Sequence, residues 1–416
     1  MSVDQSAASD TWLDLDDGDL FGLQTLPFGS FSARHLPGPR VGVRVGDAVL
    51  DLTAASHLLG RRQAQMFVNG TLDRFLAAGP DAWSNVRGAL IDWFTDRSYL
   101  GTIEPLMVSL ADIKLRLPFT VADYVDFYAS EHHATNLGQM FRPGQPALTE
   151  NWKQLPIGYH GRAGTVVVSG TPIVRPQGLR RTGASGAVAY GPSNRLDIEA
   201  ELGFVVGVPS DLGTSVPLSG LADHVFGVCL VNDWSARDIQ AFEYVPLGPF
   251  LGKSFATSVS PWVVPLAALE SARVAPPLRD PTPAAYLDDS SEPSWGLDVI
   301  LEVRLNGQLV SRPPFSAMYW TAAQQLAHLT ANGASLRTGD LFASGTISGP
   351  SADQCGSLIE LSWNGEKPLR LADGSVRTFL EDGDNVVITA TAPGPNGSTV
   401  GFGEVSGRIA GARKAH

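Results

Sequence analysis

Residues 41–49 (V-G-V-R-V-G-D-A-V) alternate apolar and polar positions and residues 50–52 extend the pattern, which predicts a strand. Residues 55–59, 72–78 and 84–95 read as helices, with Trp83, Val86, Leu90 and Trp93 at roughly helical spacing. Residues 105–118 carry a further strand and mark the crossing into a second, larger region. There, strand patterns recur at 165–168, 198–208, 225–231, 262–264, 297–305, 359–361 and 385–390, and helical patterns at 124–136, 236–244 and 321–330. Residues 275–294 are rich in Pro, Asp and Ser and predict an irregular surface segment. No repeat of about 20–50 residues is present, which disfavours a solenoid or propeller. The pattern predicts a β-rich α+β fold in two parts, residues 1–118 and 119–416, the first a small barrel or roll.

With 416 residues, 44% hydrophobic and 17% charged, the chain can bury a large core. Its 44 Gly and 29 Pro suit many turns and short strands. The net charge of −12 argues against a nucleic-acid backbone as partner, though not against an acidic substrate held by local cations or a metal. Cys229 and Cys355 are the only cysteines, which makes a disulfide framework or a thiolate zinc site improbable. That usage, and a polar start (M-S-V-D-Q-S-A-A-S-D) without the apolar stretch of a signal peptide, fit a cytoplasmic protein. No apolar run approaches the ~20 residues needed to span a bilayer.

The candidate chemistry is acidic. Glu199 and Glu201 sit two apart in R-L-D-I-E-A-E-L-G-F-V-V-G, so a strand would turn both carboxylates the same way. The plain alternative is a solvated face. However, the apolar run that follows implies a strand buried on both sides, and buried like charges then call for a cation. Asp126 lies in D-Y-V-D-F-Y-A-S-E-H-H-A-T-N-L-G and Asp233 in L-V-N-D-W-S-A-R-D-I-Q; each can also be read as a helix N-cap. With His133 and Lys253, these four carboxylates suggest an oxygen-ligated Mg²⁺ or Ca²⁺ beside a general base. Arg237, Gln240 and Tyr244 would form one stripe of a helix, which by itself reads as a solvent face. Gly252-Lys253-Ser254 fails as a phosphate loop because Leu247 stands where its first glycine belongs. The turn at Gly345-Thr346 can bring backbone N–H groups to an anion, or be an ordinary hairpin. Glu360, in the alternating I-E-L-S-W, can orient a histidine.

Long motifs carry a resemblance. D-Y-V-D-F-Y, H-A-T-N-L-G-Q-M-F-R, L-P-I-G-Y-H-G-R, N-D-W-S-A-R-D-I-Q, E-Y-V-P-L-G-P-F-L-G-K-S-F and A-S-G-T-I-S-G-P together resemble the fumarylacetoacetate hydrolase family over most of the chain. The resemblance implies an N-terminal SH3-like barrel, a larger C-terminal β-roll that forms a homodimer, and metal-dependent hydrolysis of a carbon–carbon bond in fumarylacetoacetate, the last step of tyrosine and phenylalanine catabolism. It implies a divalent cation held by Asp126, Glu199, Glu201 and Asp233. A second cation position falls on Lys253, Thr257 and Asp233, where Ala256 replaces a glycine found in some members. His133 matches the general base and Glu360 its orienting carboxylate. Arg237, Gln240 and Lys253 match groups that stabilise developing charge, and Tyr128, Arg142, Tyr159, Gln240, Tyr244 and Thr346 match substrate contacts. A related acylpyruvate hydrolase or decarboxylase, or a non-catalytic dicarboxylate binder, are the alternatives.

Overall fold

The computed structural model describes residues 11–16, 18–183, 186–292 and 295–413; the polar N-terminal stretch 1–10 lies outside them. Two adjacent strands, Ala200–Val206 and Val225–Asp233, are buried at every position and pair antiparallel, with Glu201 opposite Val231. They form the centre of a 13-stranded sheet, and their side chains alternate between its two faces. Ala200, Leu202, Phe204, Val228 and Leu230 pack in the same core as Leu301, Val303, Val386, Ile388 and Val405 of a second, five-stranded sheet. Val205, Cys229 and Val231 face the other way, into a core shared with Phe28, Phe75, Leu76, Leu90 and Trp93 of the N-terminal region. A strand covered on both faces needs no polar alternation, which is why this stretch reads as a continuous apolar run.

The N-terminal strands are continuous with this sheet, because Phe28 and Gly29 pair with Val263 and Trp262. No closed barrel is present among the described residues: Met107–Ser109 and Ile113–Arg116 pair with other strands, not with each other. The single strand expected over 41–52 is a hairpin, Arg40–Val45 and Ala48–Asp51, turned at Gly46 in the left-handed region (φ 54°). Pro80–Thr95 is helical as the spacing predicts, with Val86, Leu90, Trp93 and Phe94 buried.

Two expectations fail where they touch the candidate chemistry. The helix expected over 124–136 is a strand, Tyr124–Phe127, followed by a helix, Glu131–Phe141. The aromatic and β-branched residues of Y-V-D-F suit the sheet, and Ser130 caps the helix by accepting from the His133 N–H at 3.2 Å. The strand expected over 359–361 is one helical turn, Leu358–Leu361.

Candidate active site

The carboxylates come from the ends of three strands, Tyr124–Phe127, Ala200–Val206 and Val225–Asp233. Asp126 ends up beside Ala343 in a parallel pairing and beside Tyr159 in an antiparallel one. Glu201 is the second residue of Ala200–Val206 with Glu199 just before the strand, and Asp233 closes Val225–Asp233 opposite Thr257. Asp126, Glu199, Glu201 and Asp233 are all buried, and each offers a ligand atom within 4.8 Å of the others. Gly345 lies at φ 78°, and a Cβ there would sit 2.2 Å from the Phe127 carbonyl oxygen, so only glycine brings this turn in. Its N–H donates to Glu201 Oε2 at 3.2 Å.

Two of the four carboxylates have cationic partners. Glu199 accepts from Lys253 Nζ at 2.5 Å and pairs with Arg237 Nη1 at 2.7 Å. Asp233 accepts from Lys253 Nζ at 2.7 Å, Tyr159 OH at 2.7 Å and Thr257 Oγ1 at 3.0 Å. Burial pushes the Glu199 carboxyl up, but Lys253, Arg237 and His133 outweigh it and hold it at about 2. Among the described residues no cation forms an ion pair with Asp126 or Glu201, although the Lys253 charge is felt at Asp126, and Asp126 Oδ1 and Glu201 Oε1 are buried without a donor. Burial and the neighbouring carboxylates push both well above the usual range. Orphaned hard oxygens in a buried cluster with excess negative charge fit a divalent cation. The Lys253 side chain enters this geometry as a counter-charge: its ammonium, held protonated against burial by Asp233 and Glu199, has no lone pair to offer a metal.

His133 is on the first turn of Glu131–Phe141, buried, with Nδ1 2.6 Å from Glu360 Oε2. Ser357 and Ser348 also donate to Oε2, at 2.6 and 3.0 Å, and Asn136 donates to Oε1 at 2.9 Å. Burial pushes Glu360 up, but His133, Ser357 and Asn136 overcome it and hold the carboxyl below its ordinary value. With Nδ1–H engaged by Glu360, Nε2 is the ring nitrogen left to act as a base.

Tyr128 lies between the two groups. Its ring meets the His133 ring edge-on at 5.4 Å, and burial, Glu360 and Glu199 raise its hydroxyl against the opposing charges of Arg237 and Arg142. Arg142, at the end of the helix, donates to the Ala147 carbonyl at 2.6 Å. Thr346 is buried with Oγ1 unpartnered, and Gln240 Oε1 faces Arg237 Nη1 at 3.4 Å. The Arg237–Tyr244 stripe is no solvent face at its start: Arg237 is buried, whereas Tyr244 is half exposed. A cavity of about 140 Å³ opens beside Asp233, lined by Tyr124, Tyr159, Arg162, Phe250, Lys253 and Thr257 among others.

Ser348, Ser357, Asn136 and Asn232 have no role in the sequence expectation, although Asn136, Ser348 and Asn232 lie inside the quoted motifs; Asn232 Oδ1 accepts from the Glu199 N–H at 3.1 Å. Nor has Asp197 a role there, although it continues the two-residue spacing of Glu199 and Glu201.

Comparison with known proteins places the whole chain rather than single side chains. The fumarylacetoacetate (FAA) hydrolase C-terminal family model matches residues 123–410, and the fumarylacetoacetase N-terminal model matches residues 24–118. The chain is 47% identical over 410 residues to the fumarylacetoacetase of Rattus norvegicus, covering 95% of this chain and 97% of that one. It is 42% identical over 419 residues to the fumarylacetoacetase of Arabidopsis thaliana, covering 96% and 98%. Among solved structures, a fumarylacetoacetate hydrolase of Exiguobacterium antarcticum superposes with a TM-score of 0.54 at 18% identity, covering 93% of this chain and all of that one (100%). The maleylpyruvate hydrolase of Sphingobium sp. SYK-6 gives 0.52 at 17%, with 93% and 100% covered, so both likenesses are of fold. On these matches, the chain belongs to the fumarylacetoacetate hydrolase family.

Proposed function

We propose that the His133–Glu360 dyad, the buried carboxylates and the Arg237 and Lys253 cations together hydrolyse a carbon–carbon bond. The protein is a hydrolase that splits fumarylacetoacetate into fumarate and acetoacetate, as its nearly full-length similarity to fumarylacetoacetases supports. The observation that carries the mechanism is a general-base dyad built next to carboxylates that the protein itself leaves uncompensated.

Asp126, Glu199, Glu201 and Asp233 would hold the cation, Mg²⁺ or Ca²⁺, which when bound polarises carbonyl oxygens of the substrate. His133 Nε2 takes a proton from water while Glu360 stabilises the imidazolium at Nδ1. The hydroxide attacks the fumaroyl carbonyl carbon, and the bond to the adjacent methylene breaks with its electron pair leaving as the enolate of acetoacetate. The buried, unpartnered Arg237 Nη2, with Lys253 and Gln240, favours that developing charge. His133 then returns the proton to the enolate carbon. Arg142 suits a terminal carboxylate of the substrate, with Tyr128, Tyr159, Tyr244 and Thr346 as further contacts. Asp233 and Thr257, with Lys253 as counter-charge, are the place for a second cation.

A homodimer is part of this proposal. The hairpin from Gln177–Thr182 to Ala187–Pro192 and the loop after Arg237–Glu243 expose the large apolar side chains Leu179, Val188, Tyr190, Val245, Leu247 and Phe250, which a partner subunit would cover. No described helix is long and apolar enough to cross a membrane.

The test is loss of the fumarylacetoacetate absorbance on adding protein, with and without prior chelation. Rapid loss that requires a divalent metal, with the two products in equal amounts, is expected. His133→Ala should keep its fold and its metal-induced thermal shift and lose about 10²–10⁴-fold in turnover. Near-wild-type turnover in that variant overturns the base assignment.

A further inference from the structure

Asp197 is fully buried on a two-residue strand, Leu196–Asp197, that pairs with Ser235–Ala236 immediately before Arg237. Its carboxylate accepts four hydrogen bonds. Oδ1 accepts from the N–H groups of Leu358 at 2.7 Å and Ile198 at 2.8 Å. Oδ2 accepts from Arg237 Nε at 2.8 Å and the Ile359 N–H at 3.2 Å. Leu358 and Ile359 open the helical turn that carries Glu360, so these bonds fix where the Glu360 carboxylate stands. The same residue holds the Nε edge of Arg237, whose Nη1 is bound to Glu199, so that Nη2 has no partner among the described residues.

We propose that Asp197 is a positioning residue that sets the Glu360–His133 dyad and the Arg237 guanidinium in a single frame. It acts through those side chains and touches no reacting atom. The inference rests on the dyad mechanism above. The chemistry requires a carboxylate because all four partners are donors. An asparagine would turn its NH₂ either onto two backbone N–H groups or onto Arg237 Nε and a backbone N–H, a donor–donor conflict in both orientations. No other described residue joins the two parts of the site by direct hydrogen bonds on both sides in this way, and a shift of about 1 Å in such a frame costs roughly a hundredfold in rate.

The test uses the full-length, metal-loaded protein and two readouts. Asp197→Asn is expected to lower kcat about a hundredfold with KM changed less than about threefold. On a Glu360→Gln background the same change should cost less than about tenfold, because the dyad share of the loss is already gone and only the Arg237 share remains. The second readout is the low-field proton resonance of the His133 Nδ1–Glu360 bond, assigned by its absence in His133→Ala; Asp197→Asn should shift or broaden it. Asp197→Glu, which keeps the charge and moves the carboxylate by one methylene, should show the same loss and the same shift, and serves as the reading if the Asn variant does not fold. Full additivity with Glu360→Gln, an unmoved resonance, or recovery of turnover by Asp197→Glu would each overturn the proposal. The resonance needs no turnover. If His133→Ala kept its activity, the base mechanism would fall, while the resonance would still report whether Asp197 sets the dyad.

Discussion

The two halves of the site are equally buried and electrostatically opposite. Glu360 sits among donors, His133, Ser357, Ser348 and Asn136, and its carboxyl is held below the ordinary value. Asp126 and Glu201 sit among other carboxylates, each with one oxygen lacking a donor, and are pushed well up. Burial alone would raise all three, so donors decide the sign. The difference teaches which half the chain completes by itself. The base half is finished by protein hydrogen bonds, whereas the acidic half is finished only by something that brings positive charge. Glu199 and Asp233 stand between the extremes, compensated by Lys253 and, for Glu199, Arg237.

Removing that compensation should break the contrast most severely. Lys253→Met strips Glu199 and Asp233 of their shared cation and leaves both buried. Losing one partner of a buried ion pair costs about 3–5 kcal/mol. Urea unfolding of the metal-free variant should show a loss of that size. Unchanged stability would mean that these two carboxylates do not depend on Lys253 for their charge balance.

A smaller effect sharpens the comparison from the acidic side. Glu201→Gln removes one uncompensated charge and keeps the side chain's shape. Without metal, the variant should be as stable as the unsubstituted protein or more so, because like-charge repulsion falls. With Mg²⁺ at about 100 times its dissociation constant, binding to the folded state alone should stabilise the unsubstituted protein by about 2.7 kcal/mol and the variant by much less. Thermal melts with and without Mg²⁺ measure both. Equal metal-induced shifts would remove Glu201 from the ligand set.

Spacing made the acidic half more legible than the basic half. The two-residue step from Glu199 to Glu201 and the apolar run after it foretold a strand buried on both faces, and Ala200–Val206 is buried throughout. The elements that carry Asp126 and Glu360 depart from the sequence expectation for local reasons. The helix expected over 124–136 is divided at Ser130, where the strand Tyr124–Phe127 gives way to the helix Glu131–Phe141. Alternation in I-E-L-S-W imitates a strand, but Asp197 binds the first N–H groups of that segment and draws it into a helical turn. Such a contact joins residues 161 positions apart, and no local pattern can announce it. The continuity of the N-terminal strands with the central sheet is hidden for the same reason: Phe28 pairs with Val263 across most of the chain. The family resemblance supplied what spacing could not, the pairing of His133 with Glu360.

The mildest change tests the base half. Ser357→Ala removes one donor from Glu360 Oε2 and leaves His133, Ser348 and Asn136 in place. The lost hydrogen bond to a buried charged group should cost about 1.5–3 kcal/mol at pH 7. Glu360 is depressed in the folded state, so its donors contribute stability that is fully present above the unfolded value of about 4.3 and lost as pH falls through the lower folded value. The groups that face it set that window together: His133 and Asn136 from the helix Glu131–Phe141, Tyr128, Ser348, and Cys355 and Ser357 from its own segment. Unfolding of the two proteins followed from pH 7 to pH 3 should therefore show a gap that is constant near neutrality and narrows as the acid limit is approached. A gap that stays the same down to pH 3 would mean that Ser357 stabilises the turn Leu358–Leu361 as a structural cap, with no share in holding the Glu360 charge.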